Sequence, residues 1–174
     1  ACSDVIIIDS KGERIADSIT EVRPRHIFYS GECLAGHLLY RNFVIGCTML
    51  LSAALAKDAC PFVKSMVHDH YLALYAAMRG FIYSHPIPLI LYRIHGGNQT
   101  GILTQITGKA EYIDLHLGGF VKRIQELSQH FSFPELTSAQ RWAEARVANS
   151  RGEPGGACRL WKLRMVNSST SYFE

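Results

Sequence analysis

The run "DVIIID", Asp4 to Asp9, constrains this chain most. Four consecutive β-branched residues between two acids lack the alternation of a strand with one wet face. They match a short strand buried on both faces, which is the pattern of sheets covered by helices. "DSKGERI" follows as a turn, with Gly12 supplying the permissive backbone, and the chain resumes at Arg14 and Ile15. A chain of 174 residues with 48% hydrophobic and 19% charged residues is long and apolar enough for a real core.

Downstream, residues 17–35 show weak periodicity around Pro24 and are expected to form a long loop, a common carrier of binding residues. "ECLAGHLLYRN" has helical spacing, "FVIGCTMLLS" reads as a strand containing Gly46, and a short helix is expected over Ser52 to Lys57. The helix after Asp69 carries Leu72, Leu74, Tyr75 and Met78, apolar nearly all round, so it is expected to be buried and to stop at Gly80. "FIYSHPIPLILYRI" reads as two short strands broken by Pro86 and Pro88, which belong at an edge or bend. The Gly-rich "HGGNQTG" reads as a loop. Ile113, Leu117, Phe120, Ile124, Leu127 and Phe131 then form one apolar stripe on a long helix. Trp142, Ala145 and Val147 suggest another helix, ahead of a Gly-Pro break at residues 152–156. Strand, helix, strand, helix, strand and then helices indicate the α/β class.

The net charge of +3 and the absence of a Lys/Arg run argue against nucleic acid as a partner. A mildly basic surface suits an anionic small substrate or an anionic membrane face. The five cysteines include no C-x-x-C pair, so neither a zinc knuckle nor a redox motif is indicated. Reduced cysteines in a cytosolic protein are the simplest account. Asn98-Gln99-Thr100 and Asn167-Ser168-Ser169 match the glycosylation sequon and are read as coincidence. No apolar run reaches the length of a membrane span. The chain opens on Ala1 rather than Met and enters a strand at once, and it is read as a piece of something longer.

Two stretches can carry chemistry. His68-Asp69-His70 precedes the buried helix, where an N-cap or first-turn acid belongs. Within a helix, residues two apart do not face one another, so both histidines ligate one metal only if the segment is extended. Capping and a functional role are both open on spacing alone. In "YRIHGGNQTG", Arg93 and His95 stand at the carboxyl end of an apolar strand, and Gly96 and Gly97 let backbone approach a ligand. Ligands of open α/β sheets collect at such strand ends, and this set suits a diphosphate or its bound metal. A polar turn is the plain alternative.

Taken in order, "CSDVIIIDSKGERI", "FVIGCTMLLS", "VHDHYLALYAAMRG" and "PLILYRIHGGNQTG" resemble the second half of a family-2 glycosyltransferase. The likeness is to bacterial enzymes of surface-polysaccharide synthesis, the rhamnosyltransferase-like group. It covers about residues 3–103, and "LWKLRMVNSSTSYFE" is looser support. The resemblance implies a partial GT-A-type, Rossmann-like sheet over residues 1–108 without its N-terminal nucleotide-binding half. A helical extension over 109–174 follows. It implies that Asp69 is the general base that deprotonates the acceptor hydroxyl. Gly46, Cys47 and Thr48 would lie near the acceptor pocket with His68 and His70. His70 departs from the family pattern, where an aromatic residue is usual. Arg93, Gly96 and Gly97 would meet the donor diphosphate, and His95 its divalent metal, Mg or Mn. The partners implied are a nucleotide-sugar donor and a saccharide or lipid-linked acceptor. The place implied is the cytoplasm, peripheral at the inner membrane face.

The family holds its metal mainly through a D-x-D motif shortly upstream of the "SD" strand, and no D-x-D occurs here. The 174 residues alone are therefore expected to be inactive, as a broken-off part of a transferase. Two other readings stand beside this one. A truncated remnant or interaction module would expose the edges of its partial sheet. A His-Asp metal phosphohydrolase would need further ligands, for which His37, His116 and His130 are the donors at hand.

Overall fold

Burial of "VIII" from both sides is realised in β1, Cys2–Ile8, where Val5 and Ile7 are fully buried and Ile6 alone is half-buried. The computed structural model describes residues 1–95 and 112–164. Of these, 1–62 and 67–95 form one unit, and 63–66 and 112–164 a second. The expected boundary at residues 108–109, Gly96 and Gly97, both sequons and the end of the chain beyond Arg164 lie outside the described residues.

In the first unit the chain leaves β1 through a tight turn. Gly12 takes a φ of +94°, which a side chain would resist, and Asp9 Oδ1 accepts the Lys11 and Glu13 amides at 2.8 Å each. β2, Arg14–Ala16, returns antiparallel to β1. The region expected to be a long loop begins with a one-turn helix, α1, Ile19–Val22, whose N-cap Ser18 accepts the Thr20 amide at 3.0 Å. Buried Asp4 secures that turn to β1. Its Oδ1 accepts the Val5 and Ile19 amides at 2.7 and 3.1 Å, and its Oδ2 the Ser18 hydroxyl at 2.6 Å. α2, Ala35–Tyr40, follows as expected and buries Ala35, Leu38 and Leu39.

The expected strand over "FVIGCTMLLS" does not form. Val44 N donates to the Asn42 side chain, and the Thr48 amide and hydroxyl both turn back to the Ile45 carbonyl at 2.9 Å. Donors that a ladder would need are used locally, and Gly46–Thr48 closes into a 3₁₀ turn. Ser52 then caps α3, Ala53–Asp58, through the Leu55 amide at 3.2 Å. α4, His68–Ala77, is buried on most sides, but Met78 caps it and Gly80 plays no left-handed part.

The two short strands expected around Pro86 and Pro88 are one element, β3, Ser84–Arg93. What breaks is the ladder. Parallel pairing runs Cys2 with Ser84 and Ser3 with His85, then resumes at Val5 with Ile90. The intervening prolines have no N–H to give β1. The sheet is mixed, in the order β2-β1-β3, so among the described residues β3 is an edge, where proline is tolerated. Ile90 and Tyr92 pack on the Val5, Ile7, Ala16 and Ile19 core, whereas Ile87, Leu89 and Leu91 are exposed. The protein is thus α/β in class.

The second unit is mainly helical over residues 112–164. A π-helical turn, Tyr112–Gly118, runs into α5, Gly119–His130, and α6, Pro134–Ser150, and α7, Gly156–Arg164, follow. The expected stripe is partly realised: Leu117, Ile124 and Leu127 are buried, and Phe120 meets Trp142 of α6 edge-on at 5.5 Å. The buried residues of α6 are Leu136, Ala139, Ala143, Ala145 and Ala148, so Ala145 of the expected set is in the core and Trp142 and Val147 are only half-buried. No described helix is long and apolar enough to cross a membrane.

Candidate functional site

Residues of the second and third quoted motifs meet where the 3₁₀ turn touches α4. Asp69 lies in the first turn of α4, whose N-cap, Val67, has no side-chain oxygen to offer. Asp69 supplies one instead, for its Oδ1 accepts the His70 amide at 2.6 Å. An acid there also faces the positive end of the helix. The spacing argument for a first-turn acid therefore holds, yet it accounts for only one carboxylate oxygen.

The other oxygen is defined by Gly46. A Cβ on Gly46 would lie 2.8 Å from Asp69 Oδ2 and 3.0 Å from Asp69 Cβ. Only a residue without a side chain lets the turn approach this closely, and it leaves Oδ2 uncrowded. Among the described residues no donor or cation pairs with that oxygen. Asp69 is half-buried at the rim of a packed element, and Oδ2, beside Gly46, is an acceptor without a partner among the described residues.

The neighbours are less reactive. Partial burial pushes the Cys47 thiol up, and the Asp69 charge adds to this, so Cys47 stays a neutral thiol at neutral pH. The Thr48 hydroxyl is committed to Ile45. His68 is exposed at the start of α4. His70 is in the core, with Nε2 at 2.5 Å from the Leu38 carbonyl. A carbonyl only accepts, so Nε2 carries the hydrogen, and the ring ties α4 to α2. The two histidines therefore part company around Asp69, as residues two apart on a helix must.

The second expected cluster lies at the carboxyl ends of β1 and β3, where Ile94 N donates to Ile8 O at 2.8 Å. Arg93 Nη1 donates to the carbonyls of Asp9 and Ser10, both at 3.0 Å, and so braces the β1–β2 turn. His95 is exposed just beyond it. Among the described residues no three His, Cys, Asp or Glu side chains gather as a metal would need. The phosphohydrolase reading has no ligand set among the described residues.

Sequence spacing did not single out a third group. The loop segment "RPRH" places Arg23, Arg25 and His26 close together, and His26 Nε2 reaches the Phe43 carbonyl at 3.1 Å. Three basic types within four residues were the available signal, but nothing in the sequence joined them to Arg41 and Phe43. Comparison with protein-family models, curated proteins and solved structures found no match to this chain.

Proposed function

We propose that the chain is the acceptor-side part of a nucleotide-sugar-dependent glycosyltransferase, with Asp69 as its general base. The observation that carries this reading is the Gly46–Asp69 approach, which holds one carboxylate oxygen in the helix end and leaves the other open. A general base needs that division, because the bound oxygen sets orientation and the open one takes the proton. A carboxylate is ordinarily ionised at neutral pH and is ready for this role.

The acceptor hydroxyl oxygen would bond to the anomeric carbon while its proton passes to Asp69 Oδ2. The bond from that carbon to the diphosphate breaks on the opposite face, and the electron pair leaves with the diphosphate. Attack opposite the leaving group inverts the anomeric centre, through an oxocarbenium-like transition state. The exposed row of Ile87, Leu89 and Leu91 on the edge strand supports a sheet that further elements would cover. A donor half and its metal would belong to that cover.

The test is Asp69→Asn in the longer protein that this reading requires. Asparagine keeps an oxygen for the His70 amide but cannot take the proton, so turnover should fall by about 10²–10⁴-fold. Turnover within a fewfold of wild type would sink the assignment.

A further inference from the structure

We propose that Arg23 and Arg41, brought together by the His26–Phe43 contact, form a binding site for a phosphate or diphosphate group. The geometry comes from two separate segments. The His26 amide donates to the Arg23 carbonyl at 2.8 Å, which curls the loop, and its ring reaches Phe43, two residues after Arg41. Aromatic rings hold this wall in place. Phe28 meets His26 edge-on at 4.7 Å, and Tyr29 stacks on His37 at 4.6 Å and meets Phe43 at 5.3 Å.

Charge at the wall is unbalanced. Arg23, Arg25 and Arg41 have neither an ion pair nor a side-chain hydrogen bond among the described residues. Arg14, Arg79 and Arg159 each have a carboxylate partner. Both Arg41 and Arg23 act on the His26 ring, which burial already holds below its ordinary pKa, so His26 stays neutral and keeps its bond to Phe43. Asp4 is the one acid that acts on this ring, and its oxygens are taken by Val5, Ile19 and Ser18. Gathering like charges without a counter-charge opposes folding, and an anionic ligand removes that opposition. Guanidinium groups are donors in a planar fork that fits phosphate oxygens two at a time.

Assigning the phosphate to a lipid-linked acceptor rests on the glycosyl-transfer reading, whereas anion binding itself does not. The experiment uses the 174-residue chain with two probes, inorganic pyrophosphate by calorimetry and vesicles by flotation. The vesicles are phosphatidylcholine doped with phosphatidic acid, against phosphatidylcholine alone. Arg23→Gln and Arg41→Gln should each weaken binding about tenfold, and Arg→Lys at either position should restore part of it. Neither side chain bonds to another group among the described residues, and each substitution removes one like charge, so thermal melting should stay level or rise slightly. Loss of pyrophosphate binding supports a free phosphate group as ligand, and loss confined to the doped vesicles supports a lipid headgroup. Wild-type binding by the Gln variants, or no binding of either probe by wild type, overturns the site. Asp69→Asn should bind both probes normally, so the site and the general base fail separately.

Discussion

α4 and α5 are helices of similar length with opposite surroundings. α4 buries His70, Tyr71, Ala73, Leu74, Tyr75 and Ala77, whereas α5 buries only Ile124 and Leu127. On α5, Lys122, Gln125 and Gln129 are exposed, so water satisfies them. On α4, polar groups lack that option and must find protein partners. His70 has the Leu38 carbonyl, and the Tyr75 hydroxyl lies 2.7 Å from Asp58 Oδ2 and 3.0 Å from Asp58 O. Arg79 completes the Tyr75 clamp, with its guanidinium 3.6 Å from the ring centroid and 3.3 Å from Asp58 Oδ2. Asp69 is where the rule relaxes, because the helix end is only half-buried and one oxygen stays open. A buried helix thus concentrates its reactive potential at its rim, and an amphipathic helix leaves most of its polar groups to water.

Substitutions ranked by effect can break that contrast. Leu74 of α4 and Leu127 of α5 are both fully buried, so Leu74→Ala and Leu127→Ala should each cost about 3 kcal/mol in urea unfolding. The helices should agree here, since both sites leave a cavity. They should diverge at polar positions. His70→Phe leaves the Leu38 carbonyl unmatched and should cost about 2 kcal/mol, and Tyr75→Phe about 1 kcal/mol. Gln125→Ala should stay within about 0.5 kcal/mol. If His70→Phe proves as mild as Gln125→Ala, matching of polar groups is not what distinguishes α4.

The smallest effect concerns Glu126 on α5. Hydrogen bonds from Ser65 and from the Lys64 amide hold its carboxyl below the ordinary value of 4.5. The folded state therefore binds this proton less readily than the unfolded chain. The stability it contributes is complete above pH 4.5 and is lost as pH falls through the lower folded value. Glu126→Gln should flatten this acid limb in melting curves taken across that range. An unchanged acid limb would mean that the bonds from residues 64 and 65 do not favour the charged form.

Local rules made some of this architecture readable. A continuous β-branched run cannot face water, which marked β1, and Gly12 marked the turn after it. Ser52 declared a helix start, and the prolines of β3 required an edge because they cannot donate to two neighbours. The same rules failed where donors had a choice. The apolar run over Phe43 to Ser52 suited a strand, but Thr48 and Asn42 offered nearer partners and the backbone took them. The short helix at Ile19–Val22 escaped notice because its anchor, Asp4, lies on another element. Of the candidate site, Asp69 was legible as a first-turn acid and His95 as a residue at a strand end.

By itself the sequence determined which segments must be buried, where the chain turns and which acid begins α4. Each depends on one residue's own chemistry, or on neighbours within a turn or two. Only the tertiary structure decided that Gly46 lies against Asp69, that His70 leaves the surface while His68 stays on it, and that His26 reaches Phe43. These are meetings of separate segments. They follow from packing α4 against the 3₁₀ turn and folding the loop onto Phe43, and periodicity along a chain carries no record of which distant segments close the space between elements.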